Sequence, residues 1–123
     1  MNSVRKIAIG AVATVMLLGL GLAHAADKTF TGEIMDSSCA KMGSHAAMMK
    51  GKDATDPAAK KMCTEECVKN GAKYVLYNAT RKSIYELDDQ TKPADFAGQK
   101  VKVTGTYDAA TKTIHVTDIA PAT

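Results

Sequence analysis

The sequence lacks the aromatic side chains and the excess of positive charge that nucleic-acid binding requires. The chain has 123 residues, with no Trp and only two Phe, so platforms on which bases could stack are scarce. Its formal net charge is +3, but Arg5 and Lys6 lie in a segment that we expect to be removed. Without them, 14 of the 16 basic residues remain against 13 acidic ones. A near-neutral chain has no electrostatic basis for binding nucleic acid or an anionic membrane.

A hydrophobic run long enough to span a membrane is also missing. Residues 7–22 form an uncharged stretch of 16 residues, whereas a spanning helix needs about 20. Arg5 and Lys6 precede this stretch, and Ala23 and Ala25 supply the small side chains that a signal peptidase reads. The pattern predicts a signal peptide over residues 1–25 and a single domain over residues 26–123. We therefore expect a periplasmic or secreted protein with no stable membrane anchor after cleavage.

The residue patterns of common enzymes are absent as well. The sequence contains no recognisable Ser-His-Asp set, phosphate-binding loop or carboxylate pair on regular structure. We therefore expect a non-enzymatic binding or interaction domain whose partner is an unidentified protein or small ligand. Of the isolated polar residues, we expect His115 to be solvated. Asp36 could cap the loop that follows it or reach toward a cation, and we expect the cap.

Alternation of apolar and polar residues predicts a mainly β fold. We expect strands over residues 29–36, 73–78, 83–87, 99–107 and 112–119. The pair Asp56-Pro57 and the later Gly71 predict a helix over residues 58–70, and residues 93–98 resemble a one-turn helix.

This order of elements is typical of a five-stranded OB-fold-like barrel. Residues 37–71 would form a loop-plus-helix insertion between strands 1 and 2, and the short helix would lie between strands 3 and 4. In such folds, the first of these loops commonly lines the ligand-binding face. A plain twisted antiparallel sheet with a helix packed on it remains the alternative.

The chemically distinctive residues are concentrated in this insertion. It holds all three cysteines, and five of the seven methionines lie between residues 35 and 62. Cys63 and Cys67 are four residues apart and would share one face of the helix. Two further side chains precede that helix, Cys39 and His45.

A structural disulfide is the first interpretation of the cysteines. Small exported domains often need a covalent crosslink, and their compartment permits one. We expect Cys39 to pair with Cys63 or Cys67, because Cβ atoms four residues apart on a helix are too distant for a Cys63–Cys67 bond. Either pairing leaves one thiol over.

A metal site is the second interpretation, and a thiol redox site is the third. Cys39, His45, Cys63 and Cys67 supply the Cys₃His set that suits tetrahedral zinc. Thioether ligands would favour copper(I) instead, and the nearby candidates are Met42, Met48 and Met49. A redox role would require a thiol with a lowered pKa, and the spacing of Cys63 and Cys67 is not that of thioredoxin-type sites.

Three segments resemble a group of small exported bacterial proteins that share a domain of unknown function. They read GEIMDSSCAKMGSHAAMM, CTEECVKNGAKYVLY and FAGQKVKVTGTYDAATKTIHVTDI. Together they cover most of residues 29–120. The resemblance implies an OB-like fold and a location outside the cytoplasm, and it carries over no activity.

Overall fold

A computed structural model describes residues 25–122. The predicted signal peptide therefore lies outside the described residues, apart from Ala25. The strands are β1 (Lys28–Asp36), β2 (Tyr74–Asn78), β3 (Ser83–Leu87), β4 (Lys100–Asp108) and β5 (Thr113–Pro121). The helices are α1 (Ser37–Met42), α2 (Pro57–Lys69) and the 3₁₀ helix η1 (Lys92–Phe96). Within residues 25–122, no helix has both the length and the apolar character needed to cross a membrane.

The five strands pair in a ring. β1 is antiparallel to both β2 and β4, β2 is antiparallel to β3, and β4 is antiparallel to β5. A short parallel pairing of β3 with β5 completes the circuit, through Glu86 opposite Thr113 and Leu87 opposite Ile114. The expectation of a mainly β, five-stranded sheet with few helices is confirmed.

Alternating side chains explain why these segments form strands with one buried face. In β4, Val101 and Val103 are fully buried, whereas Lys100 and Lys102 are exposed. The same alternation continues to Gly105, where a bulge shifts the pairing with β5. A Cβ atom at Gly105 would lie 2.1 Å from a backbone oxygen of β5, so only glycine permits this close approach. The apolar core inside the ring consists of Ile34, Tyr74, Leu76, Leu87, Ala97, Val101, Val103, Ile114 and Ile119.

The two helices of the insertion begin at aspartate caps. The Asp56 side chain accepts a hydrogen bond from the Ala59 N–H at the start of α2, and Pro57 occupies the first helical position as expected. Asp36 caps α1 in the same way. The sequence did not predict α1 as a helix, because six residues between a strand and Gly43 are too few to show a helical period.

Gly98 allows α2 to lie close to the strands. Its φ is +73°, and a Cβ atom there would lie 2.6 Å from the Lys61 backbone nitrogen. The Gly98 N–H also donates to the Ile34 carbonyl in β1, at 2.8 Å. Because α2 and β1 both approach this one glycine, the helix carrying Cys63 and Cys67 is held beside the end of β1.

Candidate functional site

The candidate site begins at the junction of β1 and α1. Asp36 is the last residue of β1 and is fully buried. Its Oδ1 accepts hydrogen bonds from the N–H groups of Ser38, at 3.0 Å, and Cys39, at 2.9 Å. Its Oδ2 is also buried but has no hydrogen-bond partner within residues 25–122. The expected capping role accounts for only one of the two carboxylate oxygens.

The three cysteine thiols converge at this junction. Cys39 is fully buried in α1, and Cys63 and Cys67 are half-buried on α2. The three Sγ atoms all lie within 4.8 Å of one another, and those of Cys39 and Cys63 are 4.0 Å apart. A disulfide requires about 2.05 Å, so the thiols are close together but are not at bonding distance.

The surroundings of two of the thiols, those of Cys39 and Cys67, favour the protonated form. Burial raises the pKa of the Cys39 thiol well above its usual range, and the neighbouring Asp36 carboxylate adds to this increase. Burial likewise raises the pKa of Cys67 to about 11, with further contributions from Asp36 and Cys63. A redox-active cysteine requires the opposite shift.

His45 lies beside this junction and is only 3% exposed. Its Nε2 is 2.9 Å from Glu33 Oε1, and Lys60 Nζ donates to Glu33 Oε2 at 2.9 Å. Burial by itself raises the pKa of Glu33, but the hydrogen bonds from His45 and Lys60 outweigh it, so the net shift is downward. An ionised carboxylate can only accept, so we assign the proton to His45 Nε2. The other ring nitrogen, Nδ1, is buried and has no partner among the described residues.

The structure divides the predicted four-residue metal set into two groups that share Cys39. One group is Cys39, Cys63 and Cys67, and the other is Asp36, Cys39 and His45. In each group the available ligand atoms lie within 4.8 Å of one another. His45 does not join all three thiols in a single group. Asp36, for which capping was the preferred prediction, was not part of the predicted metal set, and the structure places it in a group with Cys39 and His45.

Methionines line a cleft beside two of the three thiols. A cleft of about 420 Å³ is lined by Met48, Met49 and Met62 together with Cys63 and Cys67. Met48 and Met62 are 52% and 60% exposed, whereas Met49 is buried. Of the methionines predicted as ligands, Met42 does not line this cleft, and Met62 takes its place.

Comparison with known proteins identifies one similarity. Residues 68–122 match a family described as a protein of unknown function, DUF5818. The predicted resemblance to a domain of unknown function is confirmed for that segment. The match begins at Val68, so all three cysteines lie outside it. No curated protein and no solved structure matches the chain.

Proposed function

We propose that this protein binds a soft metal ion, copper(I), through Cys39, Cys63 and Cys67. The observation that carries the proposal is the convergence of three Sγ atoms within 4.8 Å of one another. A metal–sulfur bond of about 2.3 Å places ligating sulfurs about 3.8–4.0 Å apart in tetrahedral or trigonal geometry. The Cys39–Cys63 separation of 4.0 Å is close to that spacing.

The composition of the site favours copper(I) over zinc. Thiolate and thioether ligands select copper(I), and Met48, Met49 and Met62 line the cleft beside Cys63 and Cys67. Metal binding would also replace the protons that the raised pKa values retain, since the thiolate is the ligand form.

The proposal includes an exported domain with an OB-like barrel. The strand order β1-β2-β3-β5-β4, which returns to β1, supports this fold. So does the position of the insertion, because the loop between the first two strands of an OB fold commonly contributes to ligand binding. Export rests on the predicted signal peptide, and it would place the thiols where disulfides and metal sites compete for the same cysteines.

Anaerobic copper(I) titration against a competing chelator tests the metal proposal. We expect one tightly bound ion per chain. Replacing any one thiol, for example Cys63→Ser, should lower the affinity at least tenfold. Met42→Leu is the matched control, because Met42 is a soft ligand outside the cleft, and it should leave the affinity unchanged. Protein that binds no stoichiometric copper with all three thiols reduced would contradict the proposal.

A disulfide-stabilised interaction domain is the second candidate function. The proximity of Cys39 and Cys63 favours it, with their Sγ atoms 4.0 Å apart. A small movement of α2 would bring them to bonding distance, and closure of a loop of this length stabilises by about 3 kcal/mol. Cys67 would then remain a free thiol, and the partner would be a protein or small ligand that contacts the insertion.

Intact mass with and without alkylation distinguishes this second candidate. Protein recovered from an oxidising compartment should accept one alkyl group before reduction and three after it. Peptide mapping should show Cys39 joined to Cys63. Three alkylated thiols before reduction would contradict the disulfide.

A further inference from the structure

A second group of potential ligands shares Cys39 with the three-cysteine group but differs from it in chemistry, because its other members are a carboxylate and an imidazole. Asp36, Cys39 and His45 have exposed fractions of 0%, 0% and 3%. A carboxylate oxygen, a thiol sulfur and an imidazole nitrogen from these residues lie within 4.8 Å of one another. Since α1 ends at Gly43 with φ +74°, the chain reverses there and returns His45 to the junction.

Two of these three side chains have a buried polar atom without a partner. Asp36 Oδ2 and His45 Nδ1 make no hydrogen bond within the described part of the chain. Nearly all buried polar groups in proteins are hydrogen-bonded, and each exception requires an explanation. A cation bound between a carboxylate and an imidazole would satisfy both atoms.

The contacts of His45 have the form expected of a metal ligand. Ligating histidines almost always donate their other ring N–H to a carboxylate or carbonyl, which fixes the tautomer and the ring orientation. Here His45 Nε2 donates to Glu33 Oε1 at 2.9 Å. Lys60 holds the other Glu33 oxygen at 2.9 Å. Glu33 and Lys60 therefore act as positioning residues that leave Nδ1 available.

We infer that Asp36, Cys39 and His45 form a second metal site, which binds zinc or a similar divalent ion. It shares Cys39 with the first site, which consists of Cys39, Cys63 and Cys67. The donors are one oxygen, one sulfur and one nitrogen, a mixed set that zinc accepts in proteins. Copper(I) prefers the all-sulfur group instead. This inference extends the proposed function but does not require it, because only Cys39 belongs to both groups.

Cobalt(II) is a spectroscopic probe that separates the two sites. The variant Cys63→Ser/Cys67→Ser removes two of the three cysteines of the first site. It keeps Asp36, Cys39 and His45, which form the second site. We expect it to bind one cobalt(II), with the absorption of a tetrahedral ion bearing one thiolate, and to release the cobalt when zinc is added.

Two further substitutions in that background should each lower cobalt affinity at least tenfold. His45→Gln keeps an amide donor toward Glu33 but removes the ligand nitrogen. Asp36→Asn keeps an oxygen for the α1 cap but removes the negative charge. His115→Gln is the matched control, because His115 is exposed on β5 and bonded to Asp88, and it should leave the affinity unchanged.

The outcomes separate this inference from the proposed function. The second site is overturned if the folded Cys63→Ser/Cys67→Ser variant binds no cobalt, or if it binds cobalt equally well after His45→Gln. A water molecule would then be the partner of Asp36 Oδ2 and His45 Nδ1. If that variant binds cobalt while the wild-type chain binds no copper(I), only the proposed function fails.

A measurement on the wild-type chain avoids reliance on a folded double variant. On addition of zinc, the ¹⁵N resonance of His45 Nδ1 should shift, while both nitrogens of His115 remain unchanged. Zinc binding without a shift at His45 Nδ1 overturns the inference.

Discussion

The ring of strands buries apolar side chains, whereas the segment that starts at the end of β1 buries polar and sulfur-containing ones. Inside the ring, Ile34, Leu76 and Ile114 are fully buried and belong to one apolar cluster. In the insertion and its junction, the buried side chains include Asp36, His45 and Thr64. Each of these three has a buried polar atom without a hydrogen-bond partner in the described residues.

This difference separates the ring, which stabilises the fold, from the insertion, where we propose that metal binds. A ring held together by apolar packing tolerates a neighbouring segment with unpaired polar atoms, because the ring supplies most of the free energy of folding. Violations of the usual burial rules tend to gather at functional sites. Substitutions in the two regions should therefore differ in both the sign and the size of their effects.

The largest effect is expected from the apolar core of the ring. Ile34→Ala removes a fully buried side chain and should lower the free energy of unfolding by about 2–5 kcal/mol. Met62→Ala is the control, since Met62 is 60% exposed in the insertion and should change stability by less than about 0.5 kcal/mol. Urea denaturation followed by circular dichroism measures both. Equal losses would show that the insertion is as essential to folding as the ring.

The contact between the two regions should be the next most sensitive position. Gly98→Ala places a Cβ atom 2.6 Å from the Lys61 backbone at a φ of +73°, and it should cost about 2–3 kcal/mol through strain and overpacking. Gly51 has nearly the same φ, +74°, but nothing within 4 Å. Gly51→Ala should therefore report the backbone strain alone, about 1 kcal/mol. If the two variants lose equal stability by denaturant titration, the close packing of α2 contributes nothing.

The ring was predictable from the sequence because its apolar and polar residues alternate. In the strand expected over residues 99–107, the structure buries Val101 and Val103 and exposes Lys100 and Lys102, which is the alternation that predicted the strand. The helix expected over 58–70 is observed at Pro57–Lys69, because its cap and its terminating glycine are local signals.

The division of the site into two groups could not be predicted in the same way. Cys39 and Cys63 are 24 residues apart in sequence, and their 4.0 Å separation results from the docking of α2 near Gly98. The unpaired Oδ2 of Asp36 depends on which oxygen caps α1, and no sequence pattern specifies that. Local sequence signals predict where helices and strands lie. Which potential ligand atoms come together depends on the contacts between those helices and strands.

A third substitution should raise the free energy of unfolding instead of lowering it, because it removes an unpaired polar group. Thr64 is fully buried in α2, and its Oγ1 has no hydrogen-bond partner among residues 25–122. Thr64→Val keeps the side-chain shape and should stabilise the protein by about 1 kcal/mol. Thr113→Val is the control, since the Thr113 hydroxyl donates to the Thr111 carbonyl, and it should not be stabilising. A loss of stability in Thr64→Val would show that this hydroxyl has a partner, such as a bound water.

The smallest effect is a pH dependence located in the ring, away from the thiols. The Val116 N–H donates to Asp88 Oδ1, and His115 Nδ1 lies 3.0 Å from Oδ2. These hydrogen bonds, the one from Val116 first, hold the pKa of Asp88 below its usual value. Because the folded-state pKa is lower than the unfolded one, the stabilisation is fully present above the usual aspartate pKa of about 4. It is lost as the pH falls through the lowered folded value.

Asp88→Asn should remove this acid-side dependence. Because both side chains are largely exposed, at 43% for Asp88 and 55% for His115, the change should be less than about 1 kcal/mol. Asp118→Asn is the control, an exposed aspartate on the neighbouring segment of β5, and it should leave the pH profile unchanged. Thermal unfolding between about pH 2.5 and pH 6 covers the window. A profile that is identical for the wild type and Asp88→Asn would mean that the acid sensitivity resides at another carboxylate, such as Glu33 in β1, whose pKa is also lowered.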